Sequence, residues 1–184
     1  MLNRYFIGFI ATVGLIIILI ILIFHGGGKS KVPVTNRTLD SYANTDAQVT
    51  LTIDGPINAD QNHQQVKIIV SQNDATFEQI QGYQGNVVNR KSYANNVDSY
   101  TNFLFALERA NFTKGIKSSQ DERGYCPLGD RYIFELNQDG NELERYWATS
   151  CGTPKTYSGD VSLTISLFQN QIPDYDNLTS NINL

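Results

Sequence analysis

Three hydrophobic periods follow one another along the chain. Tyr5 to Phe24, YFIGFIATVGLIIILIILIF, is uncharged over 20 residues. As a helix rising about 1.5 Å per residue it spans about 30 Å, the thickness of a bilayer core, and reads as a transmembrane helix. It is longer than the apolar run of a signal peptide and ends in His25-Gly26-Gly27-Gly28 with no small-residue cleavage site. Gly26 to Asn44 is polar and aperiodic, as a tether would be.

Beyond the tether the period falls to two. Val49, Leu51 and Ile53 alternate with polar residues, Gly55-Pro56 interrupts, and Val66, Ile68 and Val70 resume the alternation. These predict two half-buried strands, with a third around Thr76 to Gln81. From Asn96 the period becomes helical: Tyr100, Phe103, Leu104, Leu107 and Ala110 share one face. The spacing predicts a helix over Val97 to Lys114, with Asn96 or Asn95 as N-cap and Gly115 beyond its end. Val161, Leu163, Ile165 and Leu167 alternate again and predict a last strand.

Between helix and last strand lies GYCPLGDRYIFELNQDGNELERYWATSCG, Gly124 to Gly152, which contains both cysteines and the only tryptophan. Asp139-Gly140 near its middle is a strong hairpin signal, because a type I′ turn needs positive φ at both central positions. A two-residue loop sets Leu136 against Leu143, Phe134 against Arg145 and Tyr132 against Trp147, with Glu135 facing Glu144 on the other side. A three-residue loop, Gln138-Asp139-Gly140, instead puts Phe134 opposite Glu144. Either register brings Cys126 and Cys151 to the hairpin's open end, so a disulfide between them is expected there. Closing a loop of about 25 residues in this way stabilises a fold by roughly 3 kcal/mol.

The order βββ-α-βββ with short connections predicts an α+β architecture: an N-terminal transmembrane helix, then one antiparallel-sheet domain with a single packed helix and a disulfide-closed hairpin. The expected boundaries are 1–25 for the anchor, 26–45 for the tether and 46–184 for the domain.

Charge narrows the partners. From residue 32 onward there are 11 basic and 18 acidic residues, a net charge of −7, which disfavours nucleic acid. Arg4 stands on one side of the span and Lys29, Lys31 and Arg37 on the other, so flanking charge does not orient it. The paired cysteines do, since a structural disulfide belongs to an oxidising compartment. The expected location is a single-pass membrane protein with its C-terminal domain outside the cytoplasm.

Catalytic chemistry is scarce. Of two histidines, His25 abuts the span and His63 falls in a polar turn, where a solvated loop residue is expected. No C-x-x-C and no Cys/His cluster offers a redox or zinc site, so no catalytic residue, metal or cofactor is assigned. Gly26-Gly27-Gly28-Lys29-Ser30 ends like a phosphate loop but lacks the strand before and helix after it. Arg131, Tyr132, Tyr146 and Trp147 cluster around the hairpin and are of the types that anchor interfaces, making them the candidate binding patch beside the Cys126–Cys151 bridge.

At Gly55-Pro56, Gly82-Tyr83, Phe103-Leu104-Phe105-Ala106-Leu107, Gly124-Tyr125-Cys126-Pro127 and Trp147 to Cys151, the chain resembles uncharacterised membrane-anchored exported proteins of small bacteria with reduced genomes. The resemblance implies a bacterial envelope setting and carries no known activity. The expected function is a non-catalytic, membrane-anchored binding or assembly module of the cell envelope, held in the membrane through residues 5–24 and engaging an envelope protein or glycan. A carboxylate-dependent envelope hydrolase is one alternative. A membrane-complex subunit acting through its transmembrane helix is the other.

Overall fold

A computed structural model describes residues Arg37–Leu184. The expected membrane span and most of the expected tether lie outside these residues. The described chain forms a six-stranded antiparallel sheet covered on one face by helices, an α+β fold. Its strands are β1 (Gln48–Asp54), β2 (Gln64–Val70), β3 (Asp74–Gln81), β4 (Asn86–Ala94), β5 (Arg131–Gln138) and β6 (Asn141–Thr149). Across the sheet the order is β4-β3-β2-β1-β5-β6. The first four strands are a meander, and the helix α1 (Val97–Arg109) returns the chain from the β4 edge so that the β5–β6 hairpin can add beside β1.

The alternation read in β1 and β2 sets the two faces. Val49, Leu51, Ile53, Val66, Ile68, Val70 and Phe77 all point into the core, where α1 lays Tyr100, Phe103, Leu104 and Leu107 over them. Asn96 caps α1 as expected, its side chain accepting from the amide of Ser99 at 2.9 Å. The helix ends earlier than its apolar spacing suggested. Asn111 takes a positive φ of 61°, and the amides of Asn111 and Phe112 donate to the carbonyls of Glu108 and Leu107, a Schellman closure with Asn in the position glycine usually takes.

Three expectations are corrected. Val161 to Leu167 is not a strand but the start of helix α2 (Val161–Gln169), followed by the short α3 (Tyr175–Thr179). Asp160 caps α2 by accepting from the amide of Leu163 at 3.0 Å, and Thr164 and Phe168, four residues apart, are its buried positions. The alternating apolar residues straddle that buried stripe, and Phe168 meets Phe103 edge to face at 5.2 Å. The sixth strand is instead β4, an edge strand with eight of its nine residues exposed, so that almost no burial is left to impose an alternation on its sequence. The element order is therefore four strands, one helix, two strands and two helices. Finally, the folded domain begins before residue 46: Leu39, in a 3-10 turn over Leu39–Tyr42, is buried in the core, and its amide donates to Glu108 Oε2 at 2.7 Å.

The hairpin has the two-residue loop, with φ of 53° at Asp139 and 72° at Gly140. A bulge then intervenes. Asn137 pairs with Glu142 but Leu136 with Glu144, leaving Leu143 as the extra residue, and every pair beyond it shifts by one. Phe134 therefore faces Tyr146 rather than Arg145, Ile133 rather than Tyr132 faces Trp147, and Glu135 faces Arg145 rather than another glutamate. The bulge thus removes the like-charge pair and sends Trp147 to the face opposite the core.

Leu107 is fully buried under the sheet. Replacing it with alanine should cost about 2 to 5 kcal/mol in chemical denaturation, the usual range for a core cavity; a loss below about 0.5 kcal/mol would remove this face of α1 from the core.

Candidate functional site

All strand pairs being antiparallel, Asp54, Gln64, Gln81, Asn86, Arg131 and Thr149 end or begin their strands at one pole of the sheet. The loops there are 55–63, 82–85 and 126–130, together with Ser150 and Cys151. Five of the eight large apolar side chains exposed among the described residues are at this pole: Ile57, Tyr83, Val87, Val88 and Leu128, the last 90% exposed. From β4 to β5 the pole spans four strand spacings, about 19 Å. The remaining three, Phe105, Ile116 and Leu163, belong to α1, the segment after it and α2.

These loops are fixed from beneath by a buried polar network. Arg131 is only 2% exposed; its Nε donates to Asp54 Oδ2 at 2.8 Å, and its Nη2 donates to the carbonyl of Gly55. The other oxygen of Asp54 lies 2.8 Å from His63 Nε2, off the line of a good hydrogen bond. His63 is 0% exposed, which overturns the solvated loop expected for it. Its Nδ1 faces the carbonyl of Pro56 at 3.1 Å, so that nitrogen is the donor. Tyr83 stacks on the imidazole with centroids 4.0 Å apart and planes 15° from parallel. The Tyr83 hydroxyl donates to the carbonyl of Asn58 at 2.9 Å and accepts from its amide at 3.1 Å, pinning the β3–β4 turn to the β1–β2 loop. Ile57 in turn donates its amide to the carbonyl of Pro127 at 2.8 Å, joining that loop to the segment before β5.

The disulfide closes the third loop. Cys126 and Cys151 are bonded with Cα atoms 5.7 Å apart, as the sequence suggested. Because of the bulge, Cys151 lies level with Gly129, and the chain must turn back from Gly129 to Cys126; the amide of Gly129 donates to the carbonyl of Cys126 at 3.1 Å. A Cβ at position 129 would stand 2.3 Å from Ser150 Oγ and 2.8 Å from Cys126 Sγ, so only glycine fits this turn.

The candidate patch Arg131, Tyr132, Tyr146 and Trp147 is not a surface. Arg131 and Trp147 are buried on one face of the sheet, Tyr146 is buried on the other, and Tyr132 is half-buried beside it. Trp147 stacks on Tyr125 at 5.4 Å and donates Nε1–H to the carbonyl of Gln120 at 3.0 Å. The Tyr146 hydroxyl donates to Glu144 Oε2 at 2.6 Å, and burial first, then this acceptor, raises its pKa. Tyr132 is pushed up to about 12, chiefly by burial and then by Asp130, whose Oδ2 lies 3.3 Å from its hydroxyl. These residues hold the hairpin to the domain.

Two shallow grooves of about 170 and 200 Å³ are both lined by Arg145. The second is lined by three carboxylates, Asp54, Glu122 and Glu135. Arg145 Nη2 donates to Glu122 Oε2 at 2.7 Å, and its Nε lies 3.4 Å from Glu135 Oε1. Burial alone would lower the guanidinium's pKa, but Glu122, Glu135 and Glu142 outweigh it and raise it. Both groove glutamates are thus tied to one cation. The carboxyl that burial raises is Asp130, and it lines neither groove. Among the described residues no group of three His, Cys, Asp or Glu side chains is placed to hold a metal.

No protein-family model matches the chain, and no curated protein is similar to it.

Sequence reasoning missed the pole because its parts are far apart along the chain. The one local sign is Gly82-Tyr83-Gln84-Gly85, a turn that thrusts an aromatic outward between two strands. Replacing Cys126 and Cys151 together with serine should lower stability by about 2 to 5 kcal/mol. Non-reducing mass spectrometry after alkylation at lysis should show the bridged peptides, and two fully alkylated thiols would contradict the bridge.

Proposed function

We propose that this chain is a membrane-anchored binding or assembly module of the cell envelope, with its domain outside the cytoplasm, and that it engages an envelope protein or glycan through the loop pole. The observation that supports this is the concentration of exposed apolar side chains at this pole, Ile57, Tyr83 and Leu128 on its loops and Val87 and Val88 at the start of β4, with the loops held from below. Isolated exposed hydrophobics are ordinary, but several at one end of a domain favour a contact surface. Holding them rigid lowers the entropy cost of binding. The disulfide supports the extracytoplasmic location. β1 enters the sheet from the opposite pole, where Asp46 Oδ2 accepts from the amide of Asp139 at 3.0 Å, so the contact surface is clear of the point where the chain enters the sheet.

A photoreactive residue at position 128 of the full chain should cross-link a neighbour in native envelopes far more strongly than one at position 163. Equal labelling from both would contradict a pole-directed contact. Protease applied to intact cells, or to spheroplasts where an outer barrier exists, should digest the domain; protection alongside a digested exterior control would reverse the topology.

A further inference from the structure

The two edges of the sheet differ. At β6 the amide of Trp147 donates to Thr156 Oγ1 at 2.9 Å, and its carbonyl accepts from the amides of Thr156 and Tyr157, both at 2.9 Å. Gly115 then bridges Tyr157 on the far side, so that this edge is covered at Trp147. Along β4 no described residue pairs with the outer side, and eight of its nine residues are exposed, Tyr93 alone being half-buried.

The backbone groups that β4 offers outward follow from its pairing. Asn95 donates its amide to the carbonyl of Asn73 at 2.9 Å. By antiparallel alternation Tyr93 and Lys91 also turn theirs toward β3, and Arg90, Ser92 and Ala94 turn theirs away. The bulge at Val88 limits this regular stretch on one side and the helix cap Asn96 on the other. Its centre is Ser92.

We propose that β4 pairs antiparallel with β4 of a second copy about a two-fold axis through Ser92, joining two six-stranded sheets into one. In this register outward groups meet outward groups, Arg90 faces Ala94 of the partner copy, and Lys91 faces the partner copy's Tyr93. Lys91 is already a companion of its own Tyr93, its Nζ lying 5.3 Å from the ring centroid. An axis through Lys91 would set Lys91 against Lys91, and one through Arg90 would set Arg90 against Arg90, both unfavourable. Cationic side chains on an edge strand commonly deter such pairing. Here they are neutralised within each copy, Arg90 by Glu78 and Lys91 by Asp174, which also accepts from the Tyr93 hydroxyl. The contact is self-complementary, as a two-fold interface requires.

Cysteine substitution in the full chain, in the cells that produce it, tests the register. In an antiparallel hydrogen-bonded pair the facing Cα atoms are about 5.5 Å apart, within disulfide range, so Ser92→Cys should give a covalent dimer on a non-reducing gel after mild oxidation. Arg90→Cys and Ala94→Cys, each about 14 Å from its own counterpart at four residues of offset, should remain monomeric singly and dimerise when combined in one chain. A monomeric Ser92→Cys, or an Arg90→Cys that cross-links as readily, would overturn the proposal.

Discussion

Burying the guanidinium of Arg131 at the end of β5 is tolerable because Asp54, directly opposite on β1, accepts from it and Gly55 supplies a second acceptor. Taking such a charge out of water costs several kcal/mol, and removing its partner leaves that cost uncompensated. The same carboxylate lies against His63, and His63 carries the Tyr83 ring. One carboxylate therefore connects the β5 strand, the β1–β2 loop and the β3–β4 turn. The loop pole is ordered to the extent that this network is.

The sheet's other constraint is that its two faces do different work. One face is apolar and lies under α1 and α2. The other is polar and is crossed by the segment leading from α1 to β5, held by Glu122 on Arg145, by Tyr125 on Trp147 and by the Gln120 carbonyl on the indole nitrogen. The bulge at Leu143 makes this possible, since it is the one-residue shift that puts Trp147 and Arg145 where the segment can reach them. The disulfide then ties that segment's end to the end of β6. The carboxylates on this face are each held by an arginine, Glu122 and Glu135 by Arg145 and Asp54 by Arg131, which favours a structural role for them.

Much of this was legible in the sequence where burial is one-sided and local. β1, β2, α1 and the Asp139-Gly140 hairpin each show the period of their element, and two cysteines about a turn leave one pairing. The rest was not. Val161 to Leu167 alternates apolar and polar residues, yet Asp160 caps it as a helix and only Thr164 and Phe168 are buried. β4 is exposed at every residue but Tyr93 and so has no hydrophobic pattern to read. His63 looked solvated because the groups that enclose it, Asp54 and Tyr83, are 9 and 20 residues away in the chain. Trp147 and Arg131 have the composition of a binding patch, but a single bulge and a single carboxylate place them inside.

A double-mutant cycle on Asp54 and Arg131, followed by chemical denaturation, tests the central interaction most directly. Asp54→Leu alone should cost about 3 to 5 kcal/mol, because Arg131 is left buried and unpaired. Adding Arg131→Met should recover a large part of that loss, giving a coupling energy of at least about 2 kcal/mol. Additive costs, or a single-variant loss below about 1 kcal/mol, would contradict the dependence of the loop pole on this pair.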